Sequence, residues 1–307
     1  MTSSITNAIN GRVWAMLIIL SMLFGGSFFF VGLVVNELPL LTIVTLRVAI
    51  AAITLWAIAL MIGLRPPKSL HVWGAFLGMG LLNNVIPFAL VVWGQAQIAS
   101  GLASILNAAT PIFGVVVAGL LLPDERPTPL KILGVAIGFI GVVVMIGLPA
   151  LHGSGSFFAQ LSIITAAFFY ASAGVYGRRF KTMGINPIII AAGQVSASTL
   201  VLIPITLMVD GPVDVAATSF NTWAAITGLG VFSTAIAYIV YFKILAVAGA
   251  TNVLLVTLLV PISAILLGAV FLNESLETIH FVGMSLIALG LSAIDGRLWV
   301  SIKTVKT

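Results

Sequence analysis

The amino-acid sequence predicts an all-helical (all-α) integral membrane protein with ten transmembrane helices, arranged as two inverted repeats of five helices each. Three observations support this fold class. Hydrophobic residues make up 61% of the 307 residues and charged residues only 7%. Apolar stretches long enough to span a membrane follow one another along the chain. The second half also repeats the spacing of Gly, Pro and Trp in the first, which predicts one repeat over 1–150 and the other over 151–307.

The composition excludes a soluble domain and favours one class of membrane structure. Mean hydropathy is +1.24, far above the balance typical of soluble domains. Because unpaired backbone groups are too costly in hydrocarbon, spanning segments form either helices or a closed barrel. Apolar runs of about 20 residues without strand-like alternation indicate helices. The chain has no cysteine, which excludes disulfides, thiolate chemistry and cysteine-bound metals.

Ten apolar stretches bounded by charge, proline or glycine are predicted as spans 1 to 10. They lie at about 13–35, 40–62, 72–93, 99–122, 131–148, 156–176, 187–208, 223–244, 250–272 and 278–295. With the N-terminus placed in the cytoplasm, every Lys and Arg except Arg47 falls in a cytoplasmic segment, as the positive-inside rule requires. We therefore expect a multi-pass protein with both termini in the cytoplasm. The exterior loops carry Glu37, Asp210, Asp214, Glu274 and Glu277.

A shift of about 150 positions aligns the two halves of the chain. The aligned pairs are Trp73 with Trp223, Gly78 with Gly228, Gly80 with Gly230, Pro111 with Pro261 and, one position out of step, Glu125 with Glu274, Gly134 with Gly283 and Gly141 with Gly290. Because five is an odd number of helices, the second repeat enters the membrane from the opposite side and the repeats are inverted. Many secondary transporters use such repeats to open each face of the membrane in turn around a shared midplane site.

Several short motifs resemble those of a known family. They are Pro111 followed 14 positions later by Glu125, Pro261 followed 13 positions later by Glu274, FGGS at 24–27, LRV at 46–48 and YFKILAVAGAT at 241–251. With the two five-helix repeats, this pattern resembles the EamA-type branch of the drug/metabolite transporter superfamily, and within it the YddG-type amino-acid exporters. The resemblance implies a ten-helix metabolite exporter in a bacterial inner membrane, with amino acids as a common cargo.

Three of the prolines inside predicted spans lie four positions after a polar residue. The pairs are Asn83 with Pro87, Asn107 with Pro111 and Thr257 with Pro261. Proline removes a donor and frees the carbonyl four positions earlier, and in lipid that carbonyl needs another partner. One interpretation is that the polar side chains repair the helix. The other is that a broken helix lines a cavity for a polar ligand, with the prolines as hinges.

Other polar and aromatic residues fall at the same depth of the paired spans. The full set of predicted cavity residues is Ser27, Asn83, Asn84, Trp93, Asn107, Tyr170, Ser233, Thr234, Tyr238 and Thr257. A pocket with aromatic walls and a few polar anchors suits a neutral or zwitterionic small molecule with an apolar side chain. Phenylalanines near these positions are equally consistent with lipid-facing or core roles.

Arg47 is the one charged residue well inside a span. Burying such a charge costs about 2.5–3.5 kcal/mol on insertion scales, so one hypothesis is that Arg47 anchors the carboxylate of a ligand. The alternative is structural. The Cβ of Arg47 tilts toward the outer end of span 2, so the guanidinium could reach the exterior interface or join helix ends.

The absence of titratable residues from the middle of the spans bears on proton coupling and on enzyme catalysis. No Asp, Glu or His lies near the predicted midplane, whereas a proton-coupled pump normally needs a titratable relay there. The same absence excludes the nucleophile and base, or the metal cluster, of a membrane enzyme. We expect no cofactor, no metal and no nucleic-acid partner.

The sequence therefore predicts a monomeric secondary transporter in the lipid bilayer, with a small molecule as its substrate. It would export neutral or aromatic amino acids by alternating access, without proton coupling. The alternative is a carrier for another amphipathic metabolite or drug-like compound, by proton-coupled antiport. A channel would need an aqueous ring of charges or carbonyls.

Overall fold

The computed structural model describes residues 11–122, 128–146, 155–212, 218–248 and 255–295, and all regular secondary structure in these ranges is helical. The spans of the first repeat are Gly11–Val34 (span 1), Leu40–Met61 (span 2), Leu70–Gln95 (span 3), Ser100–Leu121 (span 4) and Pro129–Ile146 (span 5). Span 3 contains a π-helical turn at Leu81–Val85, and span 4 is divided into Ser100–Asn107 and Thr110–Leu121.

The second repeat has the same succession of helices. Its helices are Gly155–Gly177 (span 6), Pro187–Val209 (span 7), Phe220–Gly230 with Val231–Ile236 and Ala237–Ala248 (span 8), Leu255–Phe271 (span 9) and Thr278–Asp295 (span 10). A short helix, Arg179–Thr182, precedes span 7. The ten predicted spans are confirmed, and most boundaries agree within three residues.

Length and composition decide which of these helices could cross a membrane. Seven of them are long and apolar enough by both criteria, namely spans 1, 2, 3, 4, 6, 7 and 8. Spans 5, 9 and 10 are shorter apolar helices within the described residues. A helix pairs its backbone N–H and C=O groups within itself, so an apolar helix can face lipid without leaving polar groups unpaired.

Turn chemistry ends several spans where the sequence predicts a boundary. Gly63 and Gly211 have φ of 80° and 78° and follow the last turns of spans 2 and 7. This left-handed conformation favours glycine after a helix. Asn186 begins span 7 by accepting a hydrogen bond from the backbone N–H of Ile188 at 2.9 Å.

The packing follows a two-fold relation between the repeats. Span 2 packs on span 7 and span 5 on span 10, and in each pair the partners occupy equivalent positions of the two repeats. The other main contacts come in related pairs: span 1 with span 9 and span 6 with span 4, span 3 with span 6 and span 8 with span 1, span 3 with span 7 and span 8 with span 2. The repeats therefore interlock, because every one of these contacts joins one repeat to the other.

Spans 5 and 10 cross closely through glycines. An ideal Cβ added to Gly134 would lie 2.6 Å from the carbonyl oxygen of Gly290, and one added to Gly141 would lie 2.8 Å from that of Gly283. Both distances are shorter than real Cβ contacts, so only glycine permits this approach. These are the residues that the sequence repeat aligns, Gly134 with Gly283 and Gly141 with Gly290.

Candidate functional site

Two π-helical turns occupy equivalent positions in the two repeats. They comprise Leu81–Val85 in span 3 and Val231–Ile236 in span 8. A π-turn widens the helix, leaves carbonyls less regularly paired and is frequent at functional sites. Proline alone does not explain this widening, since Pro87 follows the first turn but Ala237 stands at the equivalent position in span 8.

A glycine before each π-turn lets it approach the opposite repeat. An ideal Cβ on Gly80 would lie 2.8 Å from the carbonyl oxygen of Gln194 in span 7. An ideal Cβ on Gly230 would lie 2.7 Å from the Cβ of Ile50 and 3.1 Å from the carbonyl oxygen of Arg47, both in span 2. The residues in the two π-turns are thereby brought against spans 7 and 2 at the centre of the bundle.

A hydrogen-bonded network joins the π-turn of span 3 to spans 7 and 8. Asn83 Nδ2 donates to Gln194 Oε1 at 3.2 Å and to the Tyr238 hydroxyl at 3.1 Å. Tyr238 donates in turn to Asn84 Oδ1 at 2.8 Å, and Asn84 Nδ2 donates to Ser198 Oγ at 3.2 Å. We call these five residues the polar network. The structure thus brings together three predicted residues, Asn83, Asn84 and Tyr238.

Sequence reasoning missed Gln194 and Ser198, the span 7 members of the polar network. Both are buried. An amide such as Gln194 inside an apolar span was a usable signal, because polar groups at that depth need a partner.

Arg47 is buried beside the π-turn of span 8. Its side chain is only 5% exposed, and its Nε donates to Thr234 Oγ1 at 2.9 Å. Thr234 donates its own hydroxyl hydrogen to the carbonyl oxygen of Leu229 at 2.9 Å, which leaves an oxygen lone pair to accept from Arg47. The Arg47 guanidinium carbon lies 3.6 Å from the centre of the Phe88 ring. Phe88 is 6.4 Å from Tyr170, measured between ring centres.

These contacts hold Arg47 without neutralising it. Within the described ranges no carboxylate pairs with Arg47, and neither of its Nη nitrogens donates a hydrogen bond. The interpretation in which Arg47 reaches the exterior interface therefore needs correction, because Thr234 and Phe88 hold the guanidinium inside the bundle. Phe88 was not among the predicted residues, and its position directly after Pro87 offered no specific signal.

Span 4 is interrupted where the sequence predicts a break. One helix ends at Asn107 and the next begins at Thr110, with Pro111 in its first turn. The Thr110 hydroxyl donates to the Asn107 carbonyl oxygen at 2.7 Å. Thr110, rather than the Asn107 side chain as the repair interpretation proposed, therefore satisfies the freed carbonyl. Asn107 Oδ1 is buried and has no hydrogen-bond partner within the described residues.

Ser233 provides a second acceptor of this kind. It lies in the π-turn of span 8, is 1% exposed, and its Oγ has no partner within the described part of the chain. An ideal Cβ on Gly26 would lie 3.5 Å from this oxygen, so span 1, which carries the buried Ser27, passes close to the π-turn. A buried polar atom without a partner is rare in proteins and is a candidate contact for a ligand or water.

The remaining predicted residues lie outside these contacts. Trp93 is 40% exposed near the end of span 3. Thr257 is half-buried in span 9, and Pro261 lies inside a helix that runs without interruption from Leu255 to Phe271. Pro261 therefore does not divide its span as Pro111 does. No three His, Asp or Glu side chains in the described ranges lie close enough together to hold a metal ion.

Comparison with known proteins places this architecture in a group of transporters. The chain is 26% identical over 281 residues to a transporter of Archaeoglobus fulgidus, covering 91% of this chain and 97% of that protein. It is also 26% identical over 273 residues to the inner membrane transporter YedA of Escherichia coli strain K12, covering 87% and 85%. Protein PecM of Dickeya dadantii is 24% identical over 229 residues, covering 74% and 75%.

A solved crystal structure shares the fold. It matches with a TM-score of 0.65 at 20% sequence identity, covering 92% of this chain and 98% of the other. The family model described as the EamA-like transporter family matches twice, over residues 12–147 and 157–294, once in each repeat. Together the two matches span most of the sequence, and the chain belongs to the EamA-like transporter family.

Proposed function

We propose that this membrane transporter exports neutral or aromatic amino acids across the bacterial inner membrane by alternating access. One observation carries the proposal: Arg47 is a buried guanidinium with no carboxylate partner among the described residues, located where the repeats meet. A soluble carboxylate that enters the bundle would supply the missing partner.

The orientation of Arg47 specifies how a carboxylate would bind. Its Nε is occupied by Thr234 and the Phe88 ring covers one face of the guanidinium. The two Nη nitrogens donate no hydrogen bond within the described residues. Arginine binds carboxylates through two parallel N–H bonds, and these nitrogens can supply both of them. We therefore expect the substrate carboxylate to bind end-on to Arg47.

Two buried acceptors in spans 4 and 8 could bind an ammonium group, and aromatic residues near Arg47 could contact an apolar side chain. Asn107 Oδ1 and Ser233 Oγ are buried without partners in the described chain, and an ammonium group offers three donors. Phe88 and Tyr170 provide aromatic surface near Arg47. A carboxylate, an ammonium and an apolar side chain are the three features of a neutral amino acid.

Alternating access would use the two inverted repeats. The π-turns of spans 3 and 8 already interrupt the regular pattern of helical hydrogen bonds, so these spans can bend there. The proposed hinges are Pro87, Pro111 and Pro261. Because the repeats are inverted, a rearrangement that opens one face has an equivalent that opens the other.

The proposed energy source is the gradient of the substrate itself. No Asp, Glu or His occurs in the middle of a span, and proton-coupled transport normally uses such groups. We propose a monomer with both termini in the cytoplasm, and YedA is by its name an inner membrane transporter. The second candidate, a carrier for another amphipathic or drug-like compound by proton-coupled antiport, predicts flux without dependence on a carboxylate.

Three related compounds test the proposed substrate class in proteoliposomes. Phenylalanine carries both charges, phenylethylamine lacks the carboxylate, and 3-phenylpropionate lacks the ammonium. We expect saturable, trans-stimulated flux for phenylalanine and at least about tenfold slower flux for the other two. Arg47→Gln is expected to reduce phenylalanine flux by a similar factor, whereas Arg65→Gln, in an exposed loop, serves as the matched control.

Two results would contradict the proposal. Equal flux of phenylalanine and phenylethylamine would exclude a carboxylate anchor and favour the second candidate. Normal phenylalanine flux in Arg47→Gln would remove Arg47 from the substrate site.

A further inference from the structure

Three acidic residues join the two repeats at one end of the bundle, the end that the basic residues assign to the exterior. The first is Asp210, just after span 7. Its Oδ2 accepts hydrogen bonds from the backbone N–H of Thr42 at 2.7 Å and from the Thr42 hydroxyl at 3.0 Å. Thr42 lies in the first turn of span 2, so an acid of the second repeat caps a helix of the first.

Glu274 makes the same kind of contact at another helix. Its two carboxylate oxygens accept hydrogen bonds from the backbone N–H groups of Ser100 at 2.8 Å and Gly101 at 3.1 Å. These groups open span 4, and the first N–H groups of a helix have no partner inside the helix. A carboxylate there satisfies them and is favoured by the helix dipole.

Glu37 makes the reciprocal contact. It follows span 1, and its Oε2 accepts a hydrogen bond of 2.5 Å from the Thr222 hydroxyl in the first turn of span 8. An acid of the first repeat thus holds a helix of the second.

The opposite end of the bundle has no such acids at the equivalent described positions. A shift of 150 positions relates Asp210 and Thr42 to Leu60 and Ala192, and Glu37 and Thr222 to Pro187 and Val72. The equivalent of Glu274 is Glu125, which lies outside the described residues. At that end Trp56 Nε1 donates to Ser196 Oγ at 2.8 Å, and Phe76 and Phe180 stack at 5.6 Å between ring centres. At the positions of Asp210 and Glu37 the two ends are therefore different.

We propose that Glu37, Asp210 and Glu274 form an exterior latch, which holds the exterior route to the polar network shut and releases in each transport cycle. Each of the three carboxylates joins one repeat to the other. Relative movement of the repeats at this end would therefore break all of their hydrogen bonds together. Their hydrogen bonds favour a closed exterior in the resting protein. This inference rests on alternating access in the proposed function, but not on the identity of the substrate.

The natural absence of cysteine makes the latch directly testable. Asn107→Cys places a single thiol at the break in span 4, and Gln97→Cys places one in the exposed loop after span 3. A membrane-impermeant maleimide added outside intact cells then reports access to each position. The test compares Asp210→Asn, Glu274→Gln, Glu37→Gln and the triple variant in the Asn107→Cys background.

Glu277→Gln is the matched control. Glu277 is exposed in the same loop as Glu274, and within the described chain it forms no hydrogen bond with the first repeat. We expect Gln97→Cys to react readily from outside. Asn107→Cys is expected to react slowly in the parent and with Glu277→Gln, a few times faster in each single latch variant, and about tenfold faster in the triple variant.

Three outcomes would overturn the inference. Unchanged labelling of Asn107→Cys in all latch variants would show that the carboxylates do not close the route, and an equal increase with Glu277→Gln would show only a general charge effect. Reaction of Gln97→Cys only from inside would place the acids on the cytoplasmic face. If the triple variant does not insert, the single variants decide. Phenylalanine flux is measured in the same latch variants with Asn107 retained. Faster labelling together with no phenylalanine flux in the parent that retains Asn107 would contradict the proposed substrate alone, whereas normal flux with unchanged labelling would contradict the latch alone.

Discussion

Two contacts fix the position of the Arg47 guanidinium, and neither of them neutralises its charge. A cation over an aromatic ring is worth up to about 2 kcal/mol when desolvated, and Phe88 provides that contact. A hydrogen bond involving a charged group adds about 1.5–3 kcal/mol, and Thr234 accepts one. Both contacts are made by neutral groups. A ligand carboxylate would therefore gain an interaction that no described residue already provides.

Thr234 gives the first prediction at this scale. Thr234→Val removes the acceptor for Arg47 Nε while keeping the shape of the side chain, so the guanidinium loses its orientation. We expect KM for phenylalanine to rise about threefold to tenfold, with a smaller change in maximal rate. Thr234→Ser keeps the hydroxyl and is the matched control. Equal KM values for the Val variant and the parent, measured as proteoliposome flux, would show that Thr234 does not position Arg47.

Sequence reasoning found one part of the site and missed another for a physical reason. The depth of a residue along its span can be counted from the sequence, and that depth identified Asn83, Tyr238 and Thr234 as candidates. The rotation of a span about its axis could not be read, because helices that are apolar on all sides show no buried face. Phe88 depends on that rotation, so it emerged only from the packing.

At the scale of elements, the π-turns are the features that organise the site. Each follows a glycine that touches the opposite repeat, and each presents polar residues to it. In span 3 the glycine is Gly80 and the polar residues are Asn83 and Asn84. In span 8 the glycine is Gly230 and the polar residue that contacts span 2 is Thr234. The same arrangement, a glycine followed by a π-turn with polar residues, therefore forms both sides of the site.

The glycines give the second prediction. Alanine normally stabilises a helix by about 1 kcal/mol relative to glycine. At Gly80 the new methyl group would lie 2.8 Å from a backbone oxygen, and at Gly230 it would lie 2.7 Å from Ile50 Cβ. We expect each Ala variant to lose about 1–3 kcal/mol of stability, seen as a lower Tm in detergent, and to transport more slowly.

Gly74 provides the control for both variants. It lies in span 3, and an ideal Cβ there meets nothing within 4 Å. Gly74→Ala should therefore leave Tm unchanged or raise it slightly. A Tm for Gly80→Ala as high as that for Gly74→Ala would mean that the contact with span 7 is not needed.

Proline was the only signal of a helix break that the sequence offered, and it was an incomplete one. It marked the division of span 4 at Pro111, where a helix end and a helix start meet. It gave no sign of the π-turn at Val231–Ile236, which contains no proline. Pro261 conversely lies within a continuous helix. A π-turn depends on how neighbouring helices satisfy the backbone, and that information is not local.

At the scale of the whole molecule, the number and inversion of the spans could be predicted. Apolar length and the one-sided distribution of Lys and Arg set the count independently of each other. The pairing of spans could not be predicted, except where glycines align. Gly134 and Gly141 meet Gly290 and Gly283 across the crossing of spans 5 and 10, as a two-fold relation requires. Elsewhere leucine and valine pack equally well against many neighbours, so the pairing has no sequence signature.

The third prediction concerns the driving force of the whole transporter. A neutral zwitterion carries no net charge, and the middle of the spans contains no carboxylate or histidine to carry a proton with it. We expect phenylalanine counterflow in proteoliposomes to stay within about twofold when ionophores collapse first the pH gradient and then the membrane potential. Uphill accumulation driven by an imposed pH gradient alone would instead establish proton antiport, and its loss in a Tyr238→Phe variant would assign the coupling to the polar network.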